Sequence, residues 1–137
     1  MLAVDTHVLV RVLVDDPAAT DQCLAARRVV SEAGAVYIPQ VVQIETVWVL
    51  GSAYGLDKVA IQEALGTLAA HPAFSLQRPE VFGAALQHFL VGQADFADCM
   101  ILAESTSAGY ELATFDRKLG KLPGTLLVSG WSEAGSG

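Results

Sequence analysis

The sequence predicts an α/β domain around a mostly parallel five-stranded sheet, and three observations lead there. First, 53% of the 137 residues are hydrophobic and 17% are charged, which supplies one sizeable core at a length typical of one domain. Second, short apolar runs closed by Pro, Gly or polar residues alternate with longer segments whose apolar residues recur at helical spacing. Third, the 12 Gly and 5 Pro are scattered as punctuation, so no low-complexity stretch, linker or repeat interrupts the alternation.

The elements follow in order. Leu2 to Thr6 reads as the first strand, followed by a turn, and His7 to Val14 fits either a short helix or a continued extended segment. Asp16-Pro17 offers an N-cap with Pro at the first helical position. Cys23, Ala26, Val30 and Ala33 then keep helical spacing up to Gly34, where a C-cap belongs. Val36 to Pro39 is a second strand, followed by a helix through Val41, Ile44, Val47 and Trp48 to about Gly55. Asp57 caps the next helix, which carries Ile61, Leu65 and Leu68 and ends near His71-Pro72. Phe74 to Gln77 is the third strand, and Pro79-Glu80 opens a helix bearing Phe82, Leu86, Phe89 and Leu90. Asp95 begins another helix, through Ile101 and Leu102 to Gly109, before strands at Tyr110 to Thr114 and Thr125 to Val128. One domain over residues 1–130 is expected, with a flexible tail over 131–137.

Composition narrows function. Fifteen acidic residues against eight basic ones leave a formal charge of −7, which argues against nucleic-acid binding through a broad basic surface. Any such contact must be local, through a few Lys and Arg beside a bound cation. The longest stretches without Asp, Glu, Lys or Arg, Ala64 to Gln77 and Val81 to Ala94, fall short of the roughly 18 apolar residues of a membrane span. No secretory signal is visible either, because Asp5 arrives with no preceding basic residue and Arg11 splits the apolar run. A cytoplasmic protein is the expectation. Cys23 and Cys99 form no CxxC motif or disulfide framework and read as small core residues.

Four acids stand out by position. Ligands of open parallel sheets bind beyond the carboxyl ends of the strands. Asp5 closes the first strand and Asp116 follows the fourth, so both are expected at that edge. Glu45, the single charge between Glu32 and Asp57, sits among apolar residues, where a carboxylate is costly unless paired or metal-bound. Asp98 lies in the first turn of the helix that Asp95 begins. If these acids converge, their repulsion raises their pKa values unless a cation lies between them. Oxygen-only donors favour Mg²⁺ or Mn²⁺ over Zn²⁺.

Structural alternatives exist for each. Asp95 is read first as an N-cap, Thr114 as a cap of the turn at Phe115 or a site residue, and Asp116 as a first-turn acid or a functional one. Glu45 can be answered by an Arg. His7 is read as fixing Asp5 by a hydrogen bond, and His71 and His88 as a helix-end and an exposed or satisfied helix residue. Trp48, Phe82 and Phe89 fit core or subunit packing better than base stacking, and Arg27-Arg28 a solvated face.

Four segments in order and spacing carry a resemblance: Leu2-Ala3-Val4-Asp5-Thr6-His7-Val8-Leu9, Val41-Val42-Gln43-Ile44-Glu45, Ala94-Asp95-Phe96-Ala97-Asp98, and Ala113-Thr114-Phe115-Asp116-Arg117-Lys118-Leu119. Together they resemble the motifs of PIN-domain ribonucleases, most closely the toxins of VapBC-type toxin–antitoxin modules, over Met1 to about Val128. The resemblance implies a three-layer α/β/α fold and metal-dependent hydrolysis of RNA phosphodiester bonds. It also implies metal-binding and catalytic roles for Asp5, Glu45, Asp98 and Asp116, with Asp95, Thr114, Thr6 and His7 in support. His7 stands where the family often has Asn. A cognate antitoxin and a homodimer are further implications.

Carboxylate-held Mg²⁺ suits phosphodiester hydrolysis without a covalent enzyme intermediate, in single-stranded or loop RNA whose backbone enters a narrow acidic cleft. Arg117 and Lys118, with Lys121, and Arg11 one turn past His7, are expected to hold flanking phosphates. A haloacid-dehalogenase-type phosphatase needs a second Asp where His7 stands. A response-regulator receiver needs an Asp at the end of the third strand, and a nucleoside triphosphatase needs a GxxxxGK loop; both are missing. The remaining alternative is a PIN-like module that binds RNA or a protein partner without cutting.

Overall fold

In the computed structural model, which describes residues 1–129, helices and strands alternate largely as the sequence predicts. β1 (Leu2–Ala3), α1 (Thr6–Leu13), a 3₁₀ turn (Pro17–Ala19), α2 (Thr20–Ala33), β2 (Val36–Ile38), α3 (Gln40–Ser52), α4 (Lys58–Ala70) and β3 (Phe74–Leu76) come first. α5 (Pro79–Val91), α6 (Phe96–Ser107), β4 (Leu112–Thr114), a 3₁₀ turn (Leu119–Lys121) and β5 (Thr125–Leu127) follow. The tail expected over residues 131–137 lies outside the described residues.

Among the described residues every pairing is parallel, and the strands pair as two ladders rather than the single five-stranded sheet expected from their alternation. β1, β2 and β3 pair side by side in that order, and β4 pairs with β5. Alternation with helices dictates strand direction. It does not dictate which strands share a ladder, and strands of two or three residues make few ladder bonds each. The chain divides into two compact units, Met1–Phe82 and the part from Gly83 onward.

Of the two readings open for His7 to Val14, the helix is the one observed, as α1. The alternating valines of His7 to Val14 suit extended chain, yet Asp5 caps a helix there, its Oδ1 accepting from the Val8 N–H at 2.9 Å. Leu9 and Val10 are the buried residues of this helix, and Arg11 sits in its last turn, where a cation favours the dipole. Asp16 caps as expected, accepting from the Ala18 N–H at 2.9 Å, but Pro17–Ala19 forms a 3₁₀ turn before α2 starts at Thr20. Gly34 closes α2 with a φ of 79°, a conformation that glycine adopts without strain. Asp57 caps α4 by accepting from the Ala60 N–H at 2.9 Å.

In the first unit Leu9, Val36, Ile38, Leu50, Leu65 and Leu68 are almost wholly buried. In the second, Phe96, Met100 and Leu102 are, and Phe89 meets Phe96 edge-on with ring centroids 5.7 Å apart. Phe82 and Phe89 are thus core residues, whereas Trp48 is 72% exposed and packs in no core. Cys23 and Cys99 are buried, and neither is joined in a disulfide. Burial lowers the pKa of His88, in the last turn of α5, so the neutral imidazole is favoured there. Among the described residues, no helix is long and apolar enough to cross a membrane.

Gly124 ties β5 to α6. Its φ is +88°, and a Cβ there would stand 2.9 Å from Thr106 Cγ2. Gly124→Ala is expected to destabilise the protein by about 1–3 kcal/mol, through both backbone strain and this clash, read as a lower urea midpoint with an unchanged slope.

Candidate active site

In the first unit, parallel pairing brings the chain leaving β1 and the chain leaving β2 to the same sheet edge. Asp5 lies just beyond β1, exposed, with one oxygen engaged in capping α1. Thr6 opens that helix and donates its hydroxyl to Glu45 Oε1 at 3.3 Å, so Thr6 and Glu45 meet across 39 positions of sequence. The carboxylate of Glu45 is exposed, contrary to the expectation that apolar neighbours bury it. Residues adjacent in a helix point to different faces: Val42, Gln43, Thr46 and Leu50 form the buried one, and Val41, Glu45 and Trp48 lie on the other. Exposed Glu45 thus needs no partner on grounds of burial, and among the described residues the group that meets it is the Thr6 hydroxyl rather than an Arg.

His7 also departs from expectation. It is exposed and lines a cleft of about 280 Å³ with Val8, Arg11 and Gln22. Among the described residues no hydrogen bond joins it to Asp5, which the Val8 amide holds instead.

Arg11 is engaged inside the unit rather than offered to phosphate. Its Nε donates to Gln22 Oε1 at 2.8 Å, and its Nη1 donates to Tyr54 Oη and pairs with Asp16 Oδ2 at 3.4 Å. Tyr54 Oη donates in turn to Asp16 at 3.0 Å. The Arg11 side chain is only 17% exposed, so a phosphate there would have to displace these internal partners. Arg27 is likewise less solvated than its dipeptide suggests, donating to the Val12 carbonyl at 3.2 Å and pairing with Asp15 at 2.7 Å.

Sequence reasoning missed the glutamines that seat α3. Buried Gln43 donates from Nε2 to the Ile38 carbonyl at 3.2 Å, at the end of β2, and to the Gln77 carbonyl at 2.9 Å, just past β3. Gln77 Oε1 accepts from the Gln40 N–H at 2.8 Å, at the start of α3. These bonds set the start and rotation of the helix that presents Glu45. The available signal was a lone amide inside the apolar run Val41-Val42-Gln43-Ile44.

In the second unit, Asp95 occupies the N-cap position of α6 with extended backbone, but its side chain makes no capping hydrogen bond. The capping role expected for it is therefore absent. Asp98, in the first turn of α6, has its pKa raised by partial burial, then by the charges of Asp116 and Asp95. Asp116 sits in a turn tied by its own neighbours: its N–H donates to Thr114 Oγ1 at 3.0 Å, and its Oδ1 accepts from the Lys118 and Leu119 N–H groups at 2.8 and 2.9 Å. Thr114 is thus the turn cap that one of its two readings expected.

Asp95 and Asp116 line a cleft of about 330 Å³ together with Gln93, Phe115, Arg117 and Lys118. Lys121 lies in the following 3₁₀ turn, and the cleft lining does not include it. Gln93 and Phe115 are the members that sequence reasoning passed over.

These donors fit a hard divalent cation by their chemistry. They are carboxylate oxygens, and the repulsion from Asp116 and Asp95 that adds to the effect of burial on Asp98 is what such an ion relieves. Among the described residues, no three or more His, Cys, Asp or Glu side chains stand together closely enough to hold a metal ion. A family model described as PIN domain matches residues 2–124. No curated protein and no solved structure matches the chain.

Proposed function

The chain belongs to the PIN domain family, generally a nuclease fold served by divalent metal ions, and we propose that it is a metal-dependent endoribonuclease acting in the cytoplasm. The observation that carries this reading is the cleft of the second unit, where Asp95 and Asp116 share the lining with Arg117 and Lys118, beside an Asp98 whose pKa is raised by partial burial and then by the charges of Asp116 and Asp95. Acids that repel one another beside cations suit a site that takes up a positive ion and a phosphate chain together.

In this proposal Asp5, Glu45, Asp98 and Asp116 hold Mg²⁺ or Mn²⁺, with Asp95 beside them. A divalent cation, when bound, supplies Lewis-acid activation of water and neutralises charge at the phosphate. The chain's own residues do the rest. The Thr6 hydroxyl orients Glu45, the Thr114 turn presents Asp116, and Arg117 and Lys118 hold phosphates flanking the scissile bond. A cleft lined by acids favours single-stranded or loop RNA, whose backbone enters without a broad basic surface.

The resemblance to VapBC toxins extends the proposal to a toxin role, a cognate antitoxin that places a basic side chain among the acids, and a homodimer. Exposed Val41 and Trp48 on α3 offer apolar surface to a protein partner.

The deciding experiment is cleavage of pooled cellular RNA by the purified protein in Mg²⁺ or Mn²⁺ beside an EDTA control. Discrete products that vanish with EDTA are expected. A folded protein that binds Mn²⁺ and RNA yet cuts nothing would leave a non-catalytic PIN-like binding module, and absence of metal binding would end the metal proposal. Reversing the charges of Arg117 and Lys118 to Glu is expected to weaken RNA binding and to reduce the salt slope by about 1–2, read by titration at several salt concentrations.

A further inference from the structure

We propose that Phe115 is the base-stacking residue of the second unit's cleft, receiving an unpaired base of single-stranded RNA whose neighbouring phosphates lie toward Arg117 and Lys118. The proposal deepens the ribonuclease reading and rests on it for the identity of the polymer. Phe115 is 58% exposed, although a phenyl ring is a large apolar group that folding ordinarily buries. In its turn, Thr114 Oγ1 and Asp116 Oδ1 satisfy backbone N–H groups, and Leu119 is the buried apolar residue. The same bonds hold the backbone on both sides of Phe115, so the ring is carried on a fixed base between a hydroxyl and a carboxylate.

Its place in the cleft gives the ring a use. Phe115 lines the 330 Å³ space with Gln93, Asp95, Asp116, Arg117 and Lys118. With a formal charge of −7, the chain cannot gain affinity from a general electrostatic field, so RNA must be held by local cations together with a contact that carries no charge. Stacking is such a contact, and every base offers a π-face. A phenyl ring has no polar atom with which to read a base edge, so Phe115 ranks bases by stacking strength, purines ahead of pyrimidines. The Gln93 amide, a donor and an acceptor in the same cleft, is the group able to read an edge. Phe115 is therefore a specificity-determining residue that selects unstacked, purine-containing RNA.

The test measures binding without turnover, in full-length protein carrying Asp98→Asn in Mg²⁺. The probes are a fluorescent oligoadenylate, an oligouridylate and an abasic ribose-phosphate chain of equal length. Phe115→Ala is expected to weaken oligoadenylate binding about 5- to 150-fold, with an unchanged salt slope and no effect on the abasic chain. Phe115→Trp is expected to keep or tighten binding, and oligouridylate to bind more weakly than oligoadenylate. Because the ring is exposed, both variants are expected to keep the parent's circular dichroism and melting temperature.

Equal oligoadenylate binding by Phe115→Ala, equal losses on the abasic chain, or no measurable oligoadenylate binding by the Asp98→Asn protein would each overturn the proposal. Its failure and that of the ribonuclease reading are distinguishable. Metal-dependent cleavage by the parent with no Phe115 dependence of binding removes stacking alone. Phe115-dependent binding by a parent that cleaves nothing removes the nuclease activity alone.

Discussion

Asp98→Asn is expected to lower metal-dependent RNA cleavage by about 100-fold or more while making the metal-free protein more stable at neutral pH. The two effects have one origin. Folding places Asp98 in partial burial near the charges of Asp116 and Asp95, so its carboxyl holds a proton more tightly folded than unfolded. Ionising it therefore opposes folding. The penalty is absent below the ordinary carboxylate range, grows as pH rises through the raised pKa, and is fully present at neutrality. The amide carries no charge, so the stability difference between variant and parent should vanish in acid and open with rising pH. Asp98 is partly exposed and screened, which limits the gain to below about 1 kcal/mol, or about 3 °C in melting temperature. Mg²⁺ is expected to stabilise the parent more than the variant. A variant that cleaves like the parent takes Asp98 out of the proposed acid set. One that loses activity together with its fold leaves the role undecided between support and chemistry, and the melting curves taken across pH separate those cases.

Arg11→Met is expected to cost about 2–3 kcal/mol of stability, a fall of roughly 6–12 °C in melting temperature, with RNA affinity and its salt slope unchanged. The Arg11 side chain is 17% exposed and that of its partner Asp16 is 20%, so removing the guanidinium strands a largely desolvated carboxylate and leaves Tyr54 without one of its two polar partners. Methionine fills much of the stem's volume, which isolates the polar loss from a cavity. Tyr54→Phe should lose less, about 1 kcal/mol, because Arg11 and Asp16 still pair. The opposite result, an unchanged melting temperature with a salt slope reduced by about one, would place Arg11 in the phosphate-binding set.

Arg11 shows where sequence reasoning stops. One helical turn past His7, it looked placed for phosphate. Its actual partners, Gln22, Asp16 and Tyr54, lie 11, 5 and 43 positions away, and nothing in the local pattern marks Tyr54 as one of them. Glu45 shows the same limit differently. Its apolar neighbours in sequence implied burial, but a helix turns successive residues to different faces, and only packing decided that Val42 and Thr46 face inward while Glu45 faces out. The glutamine seat of α3 and the exposed ring of Phe115 were likewise invisible, because a Gln in an apolar run and a Phe beside an Asp have no fixed meaning until neighbours are placed.

What the sequence by itself determined is local or ordered along the chain. The Asp57 cap, the Gly34 stop, the Thr114–Asp116 turn and the alternation of helix and strand each depend on residues within about four positions, where backbone geometry leaves few choices. The order and spacing of the four acidic motifs likewise pointed to the family. The tertiary structure alone decided the division of five strands into two ladders, the burial of Arg11, the exposure of Glu45 and Trp48, and the company Phe115 keeps in its cleft. Those outcomes turn on which distant surfaces exclude water from one another, an energy that belongs to pairs of segments and to neither alone.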